Sequence, residues 1–130
     1  MKLAFYNTLV IIFIFCNSIN AEEVNYQELL VGKWGYLQKE DGSYWGYDEY
    51  FIDGTVHAWG VNPETQQKWE IEGIVELEGN ISCSTTTKTS NPNLIPVGVK
   101  VCDEIVAIDE TSIIWKHEDG NMTEVSKIVE

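Results

Sequence analysis

Arginine is missing from this 130-residue chain. Lysine supplies all eight basic residues, against 21 acidic ones, and the formal net charge is −13. A surface of that sign repels phosphate, which argues against DNA and RNA as partners and against an anionic membrane face. Histidine is scarce too. His57 and His117 stand far apart, and neither belongs to a His-x-x-x-His pair or another metal-ligand spacing. There is no Gly-x-Ser-x-Gly elbow, no metalloprotease helix and no acidic run with the spacing of a calcium loop. Nothing in the sequence sets a nucleophile beside a base, so the expectation is a protein that is not an enzyme and needs no metal or cofactor. Internal repeats and low-complexity tracts are absent. Hydrophobic residues make up 44% of the chain, enough to bury a core, and the length allows one domain.

Long apolar runs are also lacking. The longest, Leu9 to Phe15, falls well short of the roughly 20 residues that cross a bilayer. Lys2 precedes it, and Asn17-Ser18 and Ala21 follow it. A basic start, an apolar stretch and a small residue at the end have the layout of a secretory signal peptide cut after Ala21. Residues 1–21 are thus expected to be removed, leaving 22–130 as the working domain, secreted or periplasmic. That domain loses Lys2, keeps every acid and has no membrane span. The chain has three cysteines, and Cys16 leaves with the signal. Cys83 and Cys102 remain, and two cysteines in an exported chain read as one disulfide. It closes a loop of about 20 residues, worth on the order of 3 kcal/mol. A redox pair would more often be spaced Cys-x-x-Cys.

What the working domain does contain is strands. Asn25 to Leu30 is its one helical segment. From Trp69 to Glu78 the pattern has period two: Trp69, Ile71, Gly73, Val75 and Leu77 share a face, and Glu70, Glu72, Ile74, Glu76 and Glu78 lie on the other. That is a half-buried antiparallel strand. Turn signals divide the rest: Asp41-Gly42, Asp53-Gly54, Asn62-Pro63, Gly79-Asn80, the proline-bearing stretch 89–96, Asp109-Glu110 and Asp119-Gly120. Eight strands result, without long crossovers, so pairing is antiparallel throughout. The economical arrangements are a closed up-and-down barrel and a sandwich, and closure leaves no exposed edge.

The run Glu28 to Trp34, Glu-Leu-Leu-Val-Gly-Lys-Trp, resembles the opening of lipocalin-like (calycin-type) barrels, in which a short helical turn precedes a Gly-x-Trp. The matching residues are Gly32 and Trp34. Asp41-Gly42-Ser43 and the hairpin from Glu49 to Thr55 look like those of small bacterial lipocalin-like domains. The resemblance implies an all-β, eight-stranded antiparallel barrel with a short N-terminal helical turn, its base closed by Trp34. It also implies a ligand inside. Two departures stand out. The chain ends on a strand instead of a C-terminal helix, and it lacks the late arginine that covers the motif tryptophan. Lys127 is the expected substitute, as a cation over the Trp34 ring.

A two-residue turn at Asp53-Gly54 groups Trp45, Tyr47, Glu49 and Phe51 with Val56, Ala58 and Gly60, and this face is expected to point inward. Trp45, Tyr47, Phe51 and Trp69 then form ligand-binding walls, and Glu49 is a buried carboxylate anchoring the ligand. His57, beside Tyr50 in that register, reads as a satisfied surface histidine. The expected function is non-catalytic binding of a small apolar or aromatic ligand by a monomer. The alternative is an inhibitor of a protease or a lysozyme, steered to a basic protein partner by charge, with residues 22–25 entering a protease cleft. A void of roughly 300 Å³ or more would favour the ligand.

Overall fold

The computed structural model describes residues 23–129; the expected signal segment, 1–21, lies outside the described residues. One helical turn, α1 (Tyr26–Leu30), leads into eight strands: β1 (Gly32–Gln38), β2 (Tyr44–Tyr50), β3 (Thr55–Val61), β4 (Lys68–Glu78), β5 (Ile81–Thr89), β6 (Lys100–Ile108), β7 (Ser112–Lys116) and β8 (Met122–Lys127). They pair antiparallel in sequence order and close into a barrel. Closure sets Trp34 opposite Lys127 and Gly35 opposite Ser126. The eight-stranded up-and-down barrel read from the sequence is the observed fold.

Local chemistry explains the elements. Asn25 caps α1, its side chain accepting from the Glu28 amide. Three hairpins share one turn. In each, a residue four positions on closes the loop: Lys39 N–H to Ser43 O (2.7 Å), Phe51 N–H to Thr55 O (3.0 Å) and His117 N–H to Asn121 O (2.8 Å). Each loop holds Asp-Gly with the glycine at positive φ, 90° at Gly42, 87° at Gly54 and 86° at Gly120. The aspartate then accepts hydrogen bonds from the residue two positions on, Ser43, Thr55 or Asn121. This is the three-residue hairpin with a left-handed glycine, not the two-residue turn.

The two ends of the barrel differ. At one end α1 lies across the base, and Leu30, Trp34, Ile105, Ile113, Trp115 and Val125 pack into the buried core. Trp34 is fully enclosed, and its indole N–H donates to Leu30 O at 2.8 Å. The Lys127 ammonium stands 4.6 Å from the centroid of the Trp34 ring and donates to Val31 O at 2.7 Å. The expected cover over the motif tryptophan is present. Loops 39–43, 62–67, 90–99 and 117–121 crowd the other end.

Cys83 and Cys102 are bonded and directly opposite each other on β5 and β6. The flanking ladder bonds, Ile105 N–H to Asn80 O and Thr86 N–H to Val99 O, place the pair at a non-hydrogen-bonded position. There facing side chains come closest, so the sheet itself presents the two sulfurs to each other. Cys83→Ala with Cys102→Ala should lower unfolding free energy by about 3 kcal/mol, measured by urea denaturation of the double variant beside the oxidised parent. A change of a few tenths would mean that the barrel restrains this loop without the bridge.

Candidate ligand-binding site

The site begins with register. Trp34 points inward and pairs with Asp48, so Asp48 points inward. Asp48 pairs with Ala58, and Ala58 with Ile71. Alternation then turns Gly46, Asp48 and Tyr50 into the barrel with Val56, Ala58 and Gly60. Trp45, Tyr47 and Glu49 face outward. The inward orientation expected for these three is therefore corrected. The cause is the three-residue loop: it pairs Phe51 with Thr55 and shifts β2 against β3 by one residue, which exchanges the faces of β2.

On the outer wall Tyr47 stacks on Trp59 at 5.5 Å, and the Lys39 ammonium lies 4.4 Å over Trp45. These residues edge an open groove of about 520 Å³. Glu49 stands opposite Lys33 and His57 on the same wall. Phe51, 42% exposed, borders the α1 end beside Leu30 and Gln27. His57 bonds the Glu70 carboxylate at 2.7 Å, so it is a satisfied surface histidine, beside Glu49 and not Tyr50. Of the five residues expected to bind a ligand, Trp69 alone borders the interior.

That interior is hollow. A cavity of about 380 Å³ opens towards the loop end, between Ala58, Trp69, Ile71 and Thr89 on the strands and Leu94 and Ile95 of the 90–99 loop. A second hollow of about 240 Å³ adjoins it, lined by Tyr50, Ser82, Ser84, Asp103, Trp115, His117 and Thr123. Tyr36 and Asp48 border both and mark the waist between them. The first, outer chamber is mostly apolar, and the second mixes polar and apolar groups. Glycine shapes the waist: a Cβ on Gly46 would strike the Tyr36 ring, so the phenol lies over bare backbone.

Asp48 is the unusual group. Its carboxylate accepts no hydrogen bond and joins no ion pair among the described residues. Its partial accessibility is to the cavity. Desolvation pushes its carboxyl up to about 7. Burial and the nearby Asp48 also raise the Tyr36 hydroxyl, and burial with Asp48, Asp103 and Tyr36 raises Tyr50. Both phenols are therefore neutral donors at physiological pH. Across the hollow, His117 Nδ1 is 3.0 Å from Asp103 Oδ1, and His117 Nε2 is 2.7 Å from Thr123 Oγ1. Hydroxyl, imidazole and carboxylate thus lie in a row, which no sequence spacing announced. The row lines the second hollow. Among the described residues no group of His, Cys, Asp and Glu could hold a metal ion.

Solved structures share this architecture. A lipocalin-like protein from Bacteroides uniformis superposes with a TM-score of 0.58 at 18% identity, covering 77% of this chain and 99% of its own. An uncharacterised protein from Bacteroides eggerthii gives 0.55 at 15% identity, over 76% of this chain and 99% of its own. The fold is a lipocalin-like β-barrel. No protein-family model and no curated protein matches the sequence. The lipocalin-like barrel here carries its own lining, and the chemistry must be read from that lining.

Proposed function

We propose that this protein is an exported, non-catalytic carrier that holds one small, largely apolar or aromatic ligand inside the barrel. The cavity carries the proposal. Its volume of about 380 Å³ lies within the range of small-molecule sites, and its walls are apolar with a few convergent polar groups. Export is supported by the signal-like segment 1–21 and by the Cys83–Cys102 disulfide, which belongs to an oxidising compartment. The inhibitor alternative is less well served. Its protease mode needs a free segment 22–25, whereas Asn25 is engaged as the cap of α1. A hollow interior also adds nothing to blocking a protease or a lysozyme.

The test is fluorescence titration with the neutral probe N-phenyl-1-naphthylamine. Ala58 is 5% exposed and borders the outer chamber. Filling that chamber by Ala58→Phe, or by Ile71→Trp from the facing strand, should weaken the probe at least tenfold while circular dichroism keeps the β signature. Trp45→Ala on the outer wall should leave probe affinity unchanged. The opposite pattern would move the site to the outer aromatic groove and end the carrier reading.

A further inference from the structure

The cavity walls are not electrically neutral. Among the described residues two carboxyls, Asp48 and Asp103, line the hollows, and no lysine does. The chain has no arginine. Lys127 is turned inward but is committed at the closed end, to Val31 O and the face of Trp34. Asp103 is met by His117 at 3.0 Å. Asp48 is met by nothing among the described residues, although it sits at the waist that both hollows reach.

We propose that the ligand is an amphipathic amine, with its protonated nitrogen seated on Asp48 and its apolar body lying outward between Trp69, Ile71 and Leu94. This rests on the carrier reading and names the ligand class for the same cavity. A carboxylate with no counter-charge at a largely enclosed waist costs stability unless an opposite charge joins it, and the bound ammonium is that charge. Tyr36 supplies the second half of the seat. Its ring is held over Gly46, and an aromatic face beside a carboxylate suits an ammonium group. The groups around Asp48, which are Tyr36, Tyr50, Asp103 and His117, hold no fixed positive charge to compete with the ligand. A ligand carboxylate would instead meet two acids of its own sign. The excess of 21 acidic over eight basic residues also draws cations towards the mouth.

The naphthylamine probe allows a competition at pH 8, where Asp48 is ionised, with dodecylamine, dodecanol and dodecanoate below their micellar concentrations. Dodecylamine should displace the probe at a concentration at least tenfold below dodecanol, and dodecanoate should fail. Asp48→Asn should cut the amine's advantage to within twofold while probe and dodecanol affinities hold, and Asp48→Ser should repeat this with a smaller side chain. Surface attraction would survive both substitutions and fade with salt, so an advantage retained by the variants overturns the assignment to Asp48. Equal displacement by amine and alcohol in the parent overturns the amine class and leaves the carrier reading standing. If the probe does not bind, the carrier reading falls and takes this inference with it.

Discussion

Asp48→Asn raises the urea midpoint at pH 8 and leaves it nearly unchanged at pH 4. The carboxyl moves from an ordinary value of 3.8 to about 7 in the folded protein, by desolvation. The folded state therefore holds a proton on Asp48 across a window in which the unfolded chain has released it. Where the folded state binds more protons, stability falls as pH rises. The fall begins near pH 4 and is complete just above pH 7. Its ceiling is about 4 kcal/mol at about 1.4 kcal/mol per unit, reduced by whatever water the cavity admits. Asparagine resembles the protonated acid and carries no charge at any pH, so the variant escapes the penalty.

The barrel also holds two histidine–carboxylate pairs, His57 with Glu70 and His117 with Asp103. Both remain in the variant. The difference between parent and Asp48→Asn at each pH therefore isolates Asp48. A difference that stays flat from pH 4 to pH 8 would mean that the carboxyl is solvated in the folded state, and the cavity would lose its charged seat. An amine ligand reverses the slope, because it binds the ionised form: saturating dodecylamine should stabilise the parent more at pH 8 than at pH 5.

Asp48 was hidden from sequence reasoning by one residue of register. The alternation of Trp69 to Glu78 is visible in the chain because one face is charged and the other apolar, and β4 follows it, with Trp69, Gly73 and Val75 inside. β2 offers no such contrast. Tyr44, Trp45, Tyr47 and Tyr50 spread aromatic rings over both faces, so its orientation depended on the turn alone. Asp53-Gly54 suggests a two-residue loop, which would have buried Glu49. The side chain of Thr55 bonds back to Asp53 and accompanies a three-residue loop, which buries Asp48 instead. The same Asp-Gly-Ser and Asp-Gly-Asn runs at 41–43 and 119–121 were the available signal. The row Asp103, His117 and Thr123 was illegible for a different reason. Its members come from β6, the β7–β8 loop and β8, and the pairing register of these three neighbouring strands brings them together. Gly32, Trp34 and Lys127 were legible because the motif sits at a boundary between helix and strand, where few arrangements are open to it.

That closing motif should also be the most sensitive point of the fold. Trp34→Ala is expected to cost about 3–5 kcal/mol, a large share of the 5–15 kcal/mol typical of a domain. The indole is fully enclosed and fills the base where β1 meets β8. Its removal leaves a void at that base and strands the Leu30 carbonyl that accepts the indole N–H. Trp34→Phe keeps most of the packing and strands the Leu30 carbonyl, at about 1–3 kcal/mol. Lys127→Met keeps a chain over the ring but removes the cation and the bond to Val31 O, at about 1–2 kcal/mol. The Lys127 side chain runs so close to Gly32, at φ 131°, that a Cβ there would collide with it. Gly32→Ala should therefore destabilise the parent strongly and the Lys127→Met background less, since a thioether carries no hydrogen bond to defend. Urea denaturation of the four proteins in that cycle measures the coupling. Additive effects would separate glycine from lysine and reduce the Gly-x-Trp to packing of the indole alone.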